Sequence, residues 1–167
     1  MKRGFTLVEL IVYVSVLAAL LLMFSNSLLA IGRSYGQLKV IRDLDSAATV
    51  SMERITREIR SSSAVDLEQS ILGTIPGTLV LDQIDVGGNT ATIKLNVVDS
   101  AVHLWSDDVD EGSLLPMGVT VTKLLFYFID TGMSKGVKVE MQLGKRIGQV
   151  TRTANYYSTI ILRGSYK

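Results

Sequence analysis

The chain of 167 residues contains no cysteine. It therefore has no disulfide, no thiolate ligand for zinc and no cysteine nucleophile, and its stability must come from ordinary core packing. It has a single histidine, His103, and no base, nucleophile and orienting acid can be assembled around it from the sequence. We therefore expect a protein that is not an enzyme and that needs no cofactor.

The chain also lacks a strong charge of either sign. Its formal net charge is +1, from 17 Lys and Arg against 16 Asp and Glu. A near-neutral chain has no overall attraction to nucleic acid or to acidic partners. Its length suffices for one domain and a membrane helix.

Charged side chains are missing altogether from Leu10–Gly32. The segment Phe5–Phe24 is almost entirely apolar, and Glu9 is its single acid. An apolar run of about 20 residues forms a helix of roughly 30 Å, the thickness of a bilayer core. Lys2 and Arg3 on the short N-terminal flank predict that this end stays in the cytoplasm, so that everything after the run lies outside.

An ordinary secretory signal does not fit this pattern. Such a signal is cut after its apolar region, at a small-residue site. Ala18 and Ala19 are small but lie inside the run, and no clear Ala-x-Ala site follows. The better cleavage site precedes the run, between Gly4 and Phe5.

The segment Lys2–Leu10 reads Lys-Arg-Gly-Phe-Thr-Leu-Val-Glu-Leu, and it resembles the leader of type IV prepilins. The resemblance implies that a prepilin peptidase removes residues 1–4 by cleaving after Gly4 and methylates the new amine of Phe5. It implies that residues 5–32 are kept as a transmembrane helix and filament core that packs against other pilin subunits. It also implies a single-pass protein of the bacterial inner membrane that later enters a pilus or pseudopilus filament.

Glu9 has three readings. It lies only about 6 Å along the helix axis from Phe5, so its carboxylate can reach the membrane interface. The prepilin resemblance implies instead that Glu9 pairs with the free amine of Phe5 in a neighbouring subunit. An intrachain pair is also possible, because Phe5 and Glu9 are i,i+4 neighbours. The sequence does not choose between these readings.

The helix is predicted to continue to about Ser61. Gly32 and Gly36 are its weak points, because glycine costs about 1 kcal/mol relative to alanine in a helix. Beyond Gly36 the pattern becomes amphipathic, with Glu53 and Arg57 as an i,i+4 ion pair. The run is too short for a coiled coil and favours a helix laid on a sheet. The predicted apolar stripe is Leu38, Ile41, Ala48, Met52, Ile55 and Ile59, interrupted by Asp45.

The remainder reads as strands separated by turns, with a turn signal at Gly87–Asn89 and an acidic loop at Ser106–Gly118. The predicted fold class is α+β, a long N-terminal helix packed on an antiparallel sheet. Residues 33–167 are the expected exported domain. The predicted strands are Thr78–Ile84, Ala91–Val97, Ala101–Trp105, Val119–Ile129, Val137–Leu143 and Tyr156–Arg163.

Two clusters could bind ligands. The acidic residues Asp107, Asp108, Asp110 and Glu111 suit calcium by ligand type, but their spacing fails the EF-hand pattern. We favour a solvated acidic loop and expect no metal site.

The second cluster combines basic and aromatic residues, a combination that binds DNA strands. Glu140 and the near-neutral net charge oppose that reading, and solvated strand faces explain the pattern equally well. The cluster comprises Lys135, Lys138, Lys145, Arg146, Arg152, Tyr156 and Tyr157.

Val119–Arg163 and Glu53–Arg60 also resemble minor pseudopilins of the J-like or W-like kind. This implies a structural subunit that primes, caps or modifies a type IV pilus-like or type II secretion filament. Many major pilins carry a proline within the apolar run, and this chain has none there. The alternatives are a DNA-binding competence pilin and a membrane-anchored binding domain that never polymerises.

Overall fold

The computed structural model describes residues 6–84, 88–148 and 150–163. Within them lie one helix, α1 (Leu7–Ser61), and eight strands, all paired antiparallel. The predicted α+β class, with a helix packed on antiparallel sheet, is confirmed. The strands are β1 (Ala64–Val65), β2 (Leu79–Ile84), β3 (Thr90–Val98), β4 (Ala101–Ser106), β5 (Val109–Ser113), β6 (Val119–Asp130), β7 (Lys135–Ile147) and β8 (Val150–Ile161).

The described chain divides into two compact units between Lys39 and Val40. The first contains the N-terminal part of α1. The second contains the rest of α1 and all eight strands. The helix is continuous through Gly32 and Gly36, which were predicted as weak points.

The end of α1 at Ser61 was predicted and has a local cause. The last carbonyls of a helix lack intrahelical partners. Here the hydroxyl of Ser61 donates to the carbonyl of Arg57 at 3.0 Å, and that of Ser62 donates to the carbonyl of Glu58 at 2.6 Å. The Ser63 N–H then donates to the Asp82 carbonyl at 2.8 Å, which carries the chain into the sheet.

The strands form two meanders. One sheet has five strands in the order β1-β2-β3-β4-β5, and the other has three in the order β6-β7-β8. Two of the hairpin turns are made by residue pairs with positive φ, Asp99–Ser100 and Asp107–Asp108. Such two-residue turns match the twist of the flanking strands, and aspartate tolerates the left-handed conformation they require.

This turn chemistry corrects the prediction of an acidic loop at Ser106–Gly118. Asp107 and Asp108 turn the chain directly from β4 into a further strand, β5, at the edge of the five-stranded sheet. The hairpin of β7 and β8 is also longer than predicted. It extends to the pair Ile147 and Val150, because backbone pairing continues where the apolar alternation has already stopped. The predicted turn at Gly87–Asn89 falls partly outside the described residues.

Every second residue of β7 points into the core. Val137, Val139, Met141 and Leu143 are at most 1% exposed. In β6, Leu124, Leu125 and Phe126 are buried, but Tyr127 is 38% exposed. The burial of this strand therefore decreases towards its C-terminal end.

The buried stripe of α1 differs from the predicted one at its start. Leu38 and Ile41 are exposed by 65% and 46%. Their place is taken by a stripe that includes two polar residues, Ser51 and Glu58, because both find partners outside the helix. The buried residues are Val40, Leu44, Ala47, Ala48, Ser51, Ile55, Glu58 and Ile59.

Those partners connect α1 to the five-stranded sheet and to Leu114, the residue that follows β5. The Ser51 hydroxyl donates to the Leu114 carbonyl at 2.9 Å, and Gln83 Nε2 donates to Glu58 Oε2 at 2.9 Å. The ion pair on this part of the helix joins Arg54 to Glu58 at 2.8 Å rather than Glu53 to Arg57. A buried polar group is tolerated only when it is hydrogen-bonded or paired, and here that condition is met.

Two polar contacts connect α1 to the three-stranded sheet. Lys145 Nζ on β7 lies 2.7 Å from Asp43 Oδ2, and the hydroxyl of Tyr156 on β8 donates to Asp45 Oδ1 at 2.8 Å. The segment of α1 from Val40 to Ser61 therefore lies across both sheets and covers the core between them.

Candidate functional site

The first unit presents an uncovered apolar surface. Every large apolar side chain from Leu7 through Ile31 is exposed by 50% or more. An 18-residue window of this helix has a mean hydropathy of 2.6 and none of it is buried. By length and composition the helix is able to cross a membrane. A surface of this kind requires lipid or other protein around it.

The hydroxyl groups of this segment are satisfied within the helix. Ser15 donates to the Ile11 carbonyl at 2.8 Å, and Ser25 donates to the Leu21 carbonyl at 2.9 Å. Serine in this arrangement presents no unpaired donor to hydrocarbon, and its small size lets another helix approach closely. Ala18 and Ala19, which are also small, lie on the same uncovered helix.

The start of the helix has a role for Thr6 that was not predicted. The Glu9 N–H donates to Thr6 Oγ1 at 3.3 Å, and the Leu10 N–H donates to the Thr6 carbonyl at 3.1 Å. Thr6 is thus the N-cap, and Thr-x-x-Glu is the spacing of a capping box. That spacing is visible in the sequence and would have indicated the cap.

Glu9 occupies the first turn of α1 and is exposed. A carboxylate in this position is stabilised by the partial positive charge at the N-terminus of the helix. Besides the three predicted roles, Glu9 therefore has a local one, which is to stabilise the N-terminus of α1. The predicted processing residues, Gly4 and Phe5, lie outside the described residues, so the pairing of Glu9 with an amine stays a prediction.

The acidic residues of the β4–β5 hairpin bind different partners. Asp107 Oδ1 accepts the Thr92 N–H at 2.8 Å, and Glu111 lies 3.1 Å from Arg54. Asp110 lies 2.9 Å from Nδ1 of His103 and accepts the Gly112 N–H at 2.8 Å.

The Gly112 N–H first, and His103 after it, hold the pKa of Asp110 below its usual value. Among the residues that the structure describes, no group of three or more His, Cys, Asp and Glu side chains is placed to hold a metal ion.

The basic residues of the β7–β8 hairpin do not form one surface. Side chains alternate between the faces of a strand, so Lys135 and Lys145 lie on one face of β7 and Lys138 and Arg146 on the other. Lys145 pairs with Asp43, as described above.

On the outer face, Glu140 lies 2.8 Å from Lys138 and 3.1 Å from Lys123. Hydrogen bonds from Lys138 and then Lys123 lower the pKa of Glu140. This carboxylate offsets part of the positive charge on the outer face.

Comparison with known proteins identifies the N-terminal segment. A family model described as the prokaryotic N-terminal methylation motif matches residues 1–25. No curated protein and no solved structure matches the chain.

The segment is a type IV prepilin-like leader followed by a long apolar helix, as predicted from Lys2–Leu10. The match supports a type IV pilin-like or pseudopilin subunit. The predicted likeness of the later segments to minor pseudopilins receives no support from it.

Proposed function

We propose that this chain is a structural subunit of a type IV pilus-like or type II secretion filament. The observation that carries the proposal is the methylation motif at residues 1–25, together with the uncovered large apolar side chains of α1 from Leu7 through Ile31. In this proposal residues 1–4 are the leader, residues 5–32 the membrane and filament-core segment, and residues 33–167 the exported domain. The precursor spans the bacterial inner membrane once, with its N-terminus in the cytoplasm.

The physical reason for assembly lies in the environment of the apolar helix. While it is in the membrane, lipid covers its exposed side chains. On leaving the membrane, the same side chains would meet water, because nothing in the described chain covers them. Transfer of that surface to water is costly. Neighbouring helices of the same kind can cover it, and Ser15, Ala18 and Ala19 allow close approach.

Glu9 is proposed to select the position of each new subunit. Its carboxylate lies near the membrane end of the helix, and an isolated carboxylate there is costly unless it is paired. Cleavage after Gly4 would create a positive amine at Phe5. The carboxylate of an assembled subunit and the amine of an incoming one would then neutralise each other.

Processing is tested by measuring the intact mass of the protein from native membranes. The proposal expects loss of Met1–Gly4 and the addition of one methyl group. As a control, Gly4→Trp should leave the precursor uncut, because a bulky residue replaces the small one at the junction. An uncut native N-terminus, or one that begins after Ala19, would contradict the proposal and favour a membrane-anchored domain that never polymerises.

The role of Glu9 is tested with two variants, because the capping arrangement at Thr6 offers a competing explanation. Glutamine keeps the hydrogen-bonding ability that a capping box needs but carries no charge. If charge pairing matters, Glu9→Gln and Glu9→Ala should both be cleaved and folded yet fail to enter filaments. If the Glu9→Gln variant assembles and the Glu9→Ala variant does not, Glu9 acts in capping. If both variants assemble normally, the carboxylate of Glu9 only reaches the membrane interface.

We further propose that the subunit is a minor one that primes, caps or modifies the filament. This rests on the absence of proline from the apolar run and on the likeness of Val119–Arg163 and Glu53–Arg60 to minor pseudopilins. Quantitative mass spectrometry of sheared filaments should find it at low copy beside other pilins. If it is the most abundant pilin, the minor role is wrong and the pilin assignment stands.

A further inference from the structure

The outer strand of the three-stranded sheet has an open edge. β8 pairs with β7 on one side, and no strand of the described chain pairs with its other side. The Leu162 N–H donates to the Lys135 carbonyl at 3.0 Å, while Ile161 lies opposite Gly136.

In an antiparallel ladder this makes Ile161 a non-hydrogen-bonded partner, so its N–H and C=O point away from β7. By alternation the same holds for Thr159 and Tyr157, because the register of β7 and β8 has no shift.

This edge lacks the usual protection against pairing. Natural edge strands carry charged residues, proline or bulges that prevent the addition of another strand. From Tyr156 to Ile161 there is no charge and no proline, and Arg152 is the one charged residue of the strand. The C-terminal half of β8 is therefore a suitable template for an added strand.

A groove lies beside this edge, between β8 and the last turns of α1. Its volume is about 780 Å³, within the range of roughly 300–1,000 Å³ typical of ligand-binding clefts. We call it the β8 groove. From α1 it is lined by Glu53, Thr56, Arg57, Arg60 and Ser61, and from the strand side by Thr159–Arg163.

The charge of the β8 groove is strongly positive. It contains three arginines, Arg57, Arg60 and Arg163, against the single acid Glu53. All three are exposed, and none forms an ion pair with the described part of the chain. Arg54 on the same helix is, by contrast, paired with both Glu58 and Glu111. The guanidinium groups of the groove therefore remain available to an external anion.

We propose that the β8 groove binds an extended acidic segment of a partner protein, which adds to β8 as a further strand. The backbone of that segment would pair with the outward N–H and C=O groups of Tyr157, Thr159 and Ile161. Its side chains alternate, so carboxylates at every second position, about 7 Å apart, would face the helix. There Arg57 and Arg60 can bind them through charge-assisted hydrogen bonds.

A peptide fits this site better than a nucleic acid does. The open edge presents donors and acceptors in alternation, and a peptide backbone satisfies both kinds. A phosphate backbone only accepts hydrogen bonds, so it would leave the outward carbonyls of β8 without partners. The proposal concerns the exported domain and does not depend on filament assembly.

The test measures binding of a short fluorescent peptide, in which valine and glutamate alternate, to the full-length chain in detergent micelles. We expect Arg57→Glu combined with Arg60→Glu to weaken binding by about tenfold or more, since charge-assisted hydrogen bonds are lost. Arg42→Glu is the matched control, because it lies exposed on the same helix about 22 Å away. It should bind the peptide like the unaltered protein. Circular dichroism checks that each variant is folded.

A second probe separates strand addition from simple charge attraction. The same peptide with alternate backbone nitrogens methylated keeps its carboxylates but loses the donors that face β8, so it should not bind. Equal binding of the methylated peptide would overturn the proposal, as would no binding of the unmodified one. Preferential binding of a single-stranded oligonucleotide would assign the groove to nucleic acid instead. Thr159→Cys offers a last check in a chain without cysteine, because disulfide formation between copies would identify a second copy as the occupant.

Discussion

The hydrogen bond between Tyr156 and Asp45 provides a test of how the sheet-packed part of α1 is held. The Tyr156 hydroxyl on β8 donates to Asp45 Oδ1 on the helix at 2.8 Å. Tyr156→Phe removes this hydroxyl and leaves the packed ring in place. The change therefore isolates one polar contact between the helix and the three-stranded sheet.

Its magnitude follows from the pKa of the phenol. Burial, followed by the hydrogen bond and charge of Asp45, raises the pKa of Tyr156 from 10.0 to about 12. A shift of this size corresponds to at most about 2.7 kcal/mol at 1.36 kcal/mol per pKa unit. Burial, the largest cause of the shift, only penalises the phenolate, and Tyr156 is only partly buried. The hydrogen bond itself is therefore expected to contribute about 1 kcal/mol. A folded-state pKa above the unfolded one means that this stability is fully present below pH 10. It is lost as the pH rises from 10 through 12.

The measurement is denaturant-induced unfolding of the full-length chain in detergent, followed at several pH values. At pH 8 the variant should be less stable by about 1 kcal/mol. That difference should shrink between pH 10 and 12, because only the unaltered protein loses the contribution.

Tyr157→Phe is the matched control. Its side chain is 61% exposed on the opposite face of the strand, so its removal should change little. If the difference in the free energy of unfolding between the unaltered protein and the Tyr156→Phe variant stays constant up to pH 12, the assigned role of the hydrogen bond is refuted.

Four further changes test the fold. Phe126→Ala should reduce the free energy of unfolding by about 3–5 kcal/mol, because Phe126 is fully buried in the core; a loss below 1 kcal/mol, read from the same denaturation curves, would place it outside the core. Gly36→Ala should stabilise the helix by about 1 kcal/mol, since an added Cβ meets nothing within 4 Å. Gly136→Ala should instead destabilise the sheet by about 1–3 kcal/mol, because its Cβ would lie 2.8 Å from the Ile160 carbonyl oxygen. Thermal melts followed by circular dichroism compare these two, and equal shifts would contradict the geometry. Lys145→Met should cost about 1–2 kcal/mol because it removes the ion pair with Asp43. An unchanged midpoint in chemical denaturation would mean that the pair contributes nothing.

Local signals in the sequence predict the features that depend on neighbouring residues alone. The charge-free run after Glu9 predicts the apolar helix because length and composition decide membrane compatibility. The junction of Gly4 and Phe5 with the residues that follow suffices to identify the prepilin-like leader. The end of α1 at Ser61 is predictable because serine hydroxyls compete for helix carbonyls within one turn. Strict alternation in β3 and in the middle of β7 likewise predicts one buried face.

Features that depend on residues distant in sequence were decided by the tertiary structure. Ser51 and Glu58 are buried on α1 because Leu114 and Gln83 bind them, and no local pattern of apolar residues indicates those partners.

The hairpin at Asp107 was predicted as a loop because the sequence of β5 is polar. Such a segment becomes a strand only because β4 pairs with it. The open edge of β8 and the arginines beside it come together from segments about a hundred residues apart, so the β8 groove exists only once helix and sheet have packed. Backbone pairing and the burial of polar groups are non-local interactions, and their geometry is fixed by the packed chain rather than by any stretch of its sequence.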